Sequence, residues 1–194
     1  MINVALLEAD RELDGICFSV LNNAVDIKVT HRFFNFQSFQ NLLPEMITQI
    51  VVLDITLPGI NILSLISASK KIRPDIDFII SSAWVQYDWV YQCLCAGASG
   101  YVNKFVVKQQ LLKTINEIYF GQAQMSLQMA QLIRDEHALQ SGSIFTQIQS
   151  QIIKLFANGF SHSNVSEALN KTNVEVQFQI RNIYNVLHHS TVSA

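Results

Sequence analysis

Ile50-Val51-Val52-Leu53-Asp54, followed at once by Ile55-Thr56-Leu57-Pro58-Gly59, decides the fold. A β-branched apolar run that ends in one carboxylate and then meets a Pro-Gly turn reads as a buried strand delivering Asp54 to its C-terminal edge. In an open α/β sheet that edge is where ligands and chemistry are placed.

Working outward, the same grammar recurs on both sides. Asn3 to Leu7 is apolar and runs into Glu8-Ala9-Asp10, after which Leu13, Ile16, Cys17 and Val20 recur at helical spacing. Asp26 to Thr30 reads as a second strand, followed by a loop and helix rich in phenylalanine from Phe33 to Leu43. Ile62 to Lys71 is a helix stopped by Arg73-Pro74, and Asp77 to Ser81 is the fourth strand. Trp84 to Ala96 is helical, Tyr101 to Asn103 is a fifth strand, and Gln109 to Tyr119 closes the series. Strict βα alternation predicts a flavodoxin-like, doubly wound five-stranded parallel sheet over residues 1–120. Residues 121–143, polar and ending in Ser141-Gly142-Ser143, read as a linker. Residues 144–194 read as a small all-α unit, with Thr146 as first N-cap and Val174 to Leu187 as the last helix.

Composition narrows the classes. Half of the 194 residues are apolar and 14% are charged, with a formal charge of -2, so a packed core is expected and a bulk pull toward nucleic acid is not. The three cysteines, Cys17, Cys93 and Cys95, form no CxxC pair, and no signal-like block opens the chain, so a cytoplasmic protein is expected. The apolar runs are strand length, which argues against membrane insertion. His162, His188 and His189 lack carboxylate or cysteine partners at ligand spacing, and no substrate-pocket motif is present, so neither a zinc site nor an enzyme is expected.

Glu8 and Asp54 end the first and third strands, which are neighbours in the flavodoxin-like order, so two carboxylates converge where a hard cation such as Mg2+ finds oxygen ligands. Ser82 and Lys104 reach the same edge from the fourth and fifth strands. A hydroxyl and an ammonium beside a carboxylate suit a phosphorylated Asp54. This set, with Asp54 before Pro58-Gly59, Ser82-Ala83, and Gly97-Ala98-Ser99-Gly100-Tyr101-Val102-Asn103-Lys104, resembles the receiver domain of two-component response regulators. The resemblance implies Asp54 as phosphoacceptor, with Glu8, Asp54 and the Thr56 backbone carbonyl as Mg2+ ligands. It further implies Ser82 and Lys104 as phosphate contacts, Tyr101 as an aromatic switch residue, and a sensor histidine kinase as partner. Where such receivers carry adjacent acids after the first strand, this chain has Glu8-Ala9; one recruiting charge is missing, so weak metal binding is expected. The competing reading is a pocket in which Asp54 and Lys104 form only a buried ion pair.

The aromatic residues Trp84, Tyr87, Trp89 and Tyr91 outnumber what the core needs from that helix. In receivers the face of the fourth helix and fifth strand commonly dimerises, so the resemblance implies a homodimer through it.

From Phe145 onward, Thr146, Ile152, Leu155, Ala157, Gly159, Ser161, Val165, Leu169, Val176, Asn182, Ile183 and Leu187 resemble the helix-turn-helix of the NarL/FixJ (LuxR-type) response regulators. The helix from Val174 is then the recognition helix, and Lys171, Gln177, Gln179 and Arg181 are the candidate DNA contacts. The unit holds three cations, Lys154, Lys171 and Arg181, against Glu167 and Glu175, which predicts weak phosphate neutralisation. It also stops at Ala194, where the family's final helix is expected. Two functions follow: a DNA-binding transcriptional regulator controlled by its receiver, or a degenerate response regulator acting through protein-protein interaction without DNA.

Overall fold

A computed structural model describes residues 1–83, 87–104, 107–138 and 143–192. Trp84, Val85 and the Ser141-Gly142 stretch of the sequence reading lie outside the described residues.

The first two thirds fold as β1 (Ile2–Leu7), α1 (Arg11–Asn22), β2 (Ile27–Phe33), α2 (Phe36–Leu42), β3 (Ile50–Asp54), α3 (Ile62–Ile72), β4 (Asp77–Ser82), α4 (Tyr87–Ala96), β5 (Gly100–Asn103) and α5 (Val107–Tyr119). The strands pair in parallel in the order β2-β1-β3-β4-β5, the expected doubly wound topology. Strand alternation divides the core cleanly. Ala5, Leu7, Val51, Leu53, Phe78 and Ile80 face one cluster with α2 to α4, while Val4, Leu6, Val52, Ile79 and Val102 face the other with α1 and α5. β2 is longer than its sequence suggested, because past a bulge at Thr30 the residues His31, Arg32 and Phe33 continue pairing along β1. Asn61 N-caps α3 by accepting from Ser64 N at 3.0 Å.

The stretch read as a linker is largely a helix, α6 (Leu127–Ala138), whose Met129, Ala130 and Ile133 are buried in the main core cluster. It is followed by α7 (Gln147–Ala157), α8 (His162–Ala168) and α9 (Asn173–Val192). Thr146 and Gln149 form a reciprocal capping box that starts α7. His162 opens α8 and His188 lies in α9.

The C-terminal helices dock on the sheet domain. Val176, Ile180, Ile183, Tyr184 and Leu187 form a buried stripe along α9 at helical spacing, and they join the same core cluster as α3 and α4. His188 Nδ1 lies 3.0 Å from the carbonyl of Cys95, and Tyr184 donates to the carbonyl of Gln124 at 2.6 Å. At Gly97 (φ +113°) a Cβ would stand 3.0 Å from both His188 and Lys70, so α9 approaches the end of α4 at backbone distance.

Candidate functional site

Register alone assembles the acidic edge. Leu7 pairs with Leu53, Asp54 with Ser81, and Ser82 with Asn103, so Glu8, Asp54, Ser82 and Lys104 emerge together at the C-terminal ends of β1, β3, β4 and β5. All four are buried. Lys104 Nζ lies 2.8 Å from Asp54 Oδ1 and 2.9 Å from Glu8 Oε2. Asp54 also accepts from the Thr56 amide at 2.8 Å, and the single Thr56 hydroxyl proton is shared between its two carboxylate oxygens, at 2.7 and 2.9 Å. Tyr101, paired with Ile80 on the edge strand β5, is half-buried.

These bonds set the protonation states. Burial, then the hydrogen bond shared with Asp54, pushes Glu8 up to about 7 against the pull of Lys104. Burial also acts to raise Asp54, but hydrogen bonds from Glu8, Lys104 and Thr56 outweigh it and hold Asp54 below the usual carboxylate range. Lys104 is held above its ordinary value because the two carboxylates outweigh the cost of burying it. The pair therefore keeps its shared proton on Glu8 and its negative charge on Asp54.

Mg2+ needs only one or two carboxylates when waters or phosphoryl oxygens complete its shell, so Glu8, Asp54 and the Thr56 carbonyl suit it in type and number. Among the described residues no third acid, histidine or cysteine joins them. Asp10 is committed elsewhere: its carboxylate caps α1, accepting from the amides of Glu12 and Leu13. Lys104 bonds both acids and so shares their oxygens with a bound cation.

The opposite end of the sheet carries a second cluster that nothing in the sequence announced. Asp77, at the start of β4, accepts from Ser99 Oγ at 2.5 Å and from Arg181 Nη2 on α9 at 2.5 Å, with Lys70 Nζ at 4.0 Å. Arg181 is thus tied to the sheet domain. Lys171 pairs with Glu175 at 3.6 Å, and that carboxylate also accepts from Thr172. Gln177 and Gln179 are half-buried, and the Gln177 carbonyl accepts from Ala123 N. The four candidate DNA contacts lie on and just before α9, but none extends freely into solvent. The α4 side of the expected dimer face is covered by α6 and α9 of the same chain.

Sequence reasoning missed the Thr56 hydroxyl, having named only its carbonyl; its place two residues after an aspartate is the spacing of an Asx-type turn and was the available signal.

A parallel sheet with an acid pair and a lysine at its C-terminal edge, joined to a bundle of short helices, is the architecture of a response regulator. The chain belongs to that family: the response regulator receiver domain matches residues 4–116, more than half of its length. It is 25% identical over 130 residues to the response regulator GacA of Pseudomonas aeruginosa, a match covering 64% of this chain and 61% of that protein. It is 22% identical over 175 residues to the response regulator UvrY of Escherichia coli, covering 88% and 80% respectively. Among solved structures, the response regulator RcsB of Salmonella typhimurium superposes over 100% of both chains with a TM-score of 0.63 at 17% identity. An RcsB-DNA complex superposes over 98% of both, with a TM-score of 0.63 at 18% identity. No described helix is long and apolar enough to cross a membrane.

Proposed function

We propose that this chain is a cytoplasmic transcriptional regulator in which residues 1–120 act as receiver, residues 121–143 as a connector containing α6, and residues 144–194 as the DNA-binding unit. The observation that carries this reading is the docking of α9: the helix bearing Gln177, Gln179 and Arg181 is packed on α4, with Arg181 ion-paired to Asp77. The receiver thereby holds back the helix meant to enter the major groove. The likeness to RcsB, solved in complex with DNA, supports the same assignment.

Asp54 is the phosphoacceptor. A carboxylate oxygen attacks the phosphorus of a phosphohistidine on a sensor kinase, the donor P–N bond breaks, and an acyl phosphate forms. Lys104 follows a phosphoryl oxygen and the Ser82 hydroxyl donates to another. Glu8, Asp54 and the Thr56 carbonyl would hold Mg2+, which would supply charge neutralisation at the transferred phosphoryl oxygens. Ala9 contributes no oxygen and Lys104 competes for both acids, so that binding is weak. Tyr101 responds on the α4 and β5 side. Dimerisation through that side requires α6 and α9 to leave α4 first.

Released, the DNA-binding unit still has few cations, so its binding is weak and shows a shallow salt dependence. The test is a pull-down of genomic fragments at ~50 mM salt, where phosphate contacts are strongest. Retained DNA that falls away in Arg181→Ala supports the reading. No retained DNA, with or without a small phosphoryl donor, overturns it.

A further inference from the structure

Between α6 and α7 lies a cavity of about 300 Å³ whose walls include Ile133, Phe145 and Ile153, with His137, Arg134 and Lys154 also lining it. The remaining described lining is serine and asparagine, and no carboxylate is part of it. Lys154 is exposed on α7 and has no ionic partner among the described residues. Arg134 is exposed and gives its Nε to Asp135, at 2.8 Å, leaving its outer nitrogens available. Hydrocarbon walls with a basic, acid-free remainder select a ligand that is apolar at one end and anionic at the other.

His137 links this cavity to the receiver. Its ring packs edge-on against Phe145, its Nε2 lies 3.3 Å from the Tyr91 hydroxyl on α4, and its Nδ1 is buried without a hydrogen-bond partner. A molecule seated here touches the same imidazole that contacts α4.

We propose that the α6–α7 cavity binds a small amphipathic anion, an alkyl or aryl carboxylate, with Lys154 and Arg134 holding the carboxylate and Ile133, Phe145 and Ile153 holding the tail. The site makes no use of Asp54 and does not depend on DNA binding. It gives the chain a second input, read next to the contact between the receiver and the C-terminal unit.

The test is calorimetric titration of the full chain with octanoate, and with octylamine, which has the same tail and the opposite charge. Octanoate binds with a Kd on the order of 100 µM and octylamine does not bind. Lys154→Glu, an exposed change that leaves the core intact, weakens octanoate about tenfold, the cost of one charge-assisted hydrogen bond. Ser150→Trp fills the cavity and abolishes binding while circular dichroism shows the fold retained; should that variant unfold, Asn158→Trp replaces it. The proposal is overturned if octanoate and 1-naphthoate both fail to bind, if octylamine binds as well as octanoate, or if Lys154→Glu or the folded cavity-filling variant keeps full affinity.

Discussion

The two ends of the sheet each hold an aspartate engaged by a base, and they use it in opposite ways. Asp54 at the C-terminal edge is buried, bonded by Lys104 and Thr56, and belongs wholly to the receiver. Asp77 at the N-terminal edge of β4 is partly exposed and engages Arg181, 104 residues away on the C-terminal unit. The first pair fixes the state of one domain, and the second fixes the relation between two. A buried, multiply bonded pair breaks only at high cost, whereas a partly solvated pair at a domain interface breaks cheaply. Control of the docked helix is therefore easier to exert at Asp77 than to undo at Asp54.

Three changes would sharpen or break that contrast. The largest effect belongs to Lys104→Met, which leaves the Asp54 carboxylate and its Glu8 partner buried without their cation and costs about 3 kcal/mol of receiver stability. Urea denaturation measures it, and a loss below about 1 kcal/mol would place Lys104 in the weak class with surface pairs. Next comes Asp77→Ala, which removes the acceptor shared by Ser99 and Arg181 and leaves Arg181 and Lys70 facing each other. It weakens docking by about 1–2 kcal/mol, so small-angle scattering shows a more extended molecule and low-salt DNA retention rises. An unchanged scattering profile would show that the apolar stripe of α9 holds the domains by itself.

The smallest effect is a pH dependence. Glu8 has a folded-state value raised from 4.5 to about 7, so the folded chain keeps a proton that the unfolded chain has lost across that interval, and stability falls as pH rises through it. Glu8→Gln mimics the protonated acid. Its thermal midpoint matches the parent at pH 5 and exceeds it at pH 8, by about 2–4 °C for each kcal/mol of that linkage. Equal midpoints at both pH values would sink the assignment of the shared proton to Glu8.

The receiver was legible because its signals are local. Each strand is a short apolar run, the acids and the lysine end three of them, and parallel pairing in the flavodoxin-like order needs no further information to bring Glu8, Asp54, Ser82 and Lys104 to one edge. α6 was read as part of a linker because its apolar stripe, Met129, Ala130 and Ile133, is short and is buried by packing on α4 and α7, which the local sequence does not show. β2 was cut short because an edge strand shows polar residues such as His31 and Arg32 to solvent. The Asp77 cluster left no trace at all. A lone aspartate opening a strand and an arginine in a helix have no spacing that relates them, and only the docking of α9 brings them together.

That docking also sets an order of events. A segment tethered to its own receiver competes for α4 at an effective concentration on the order of millimolar, the range for flexible linkage. A second copy of the chain, free at the far lower concentrations of a regulator, loses that competition however complementary its surface. On the proposed reading, the tether makes assembly through α4 follow release and not cause it, so raising the abundance of the protein alone does not set it off.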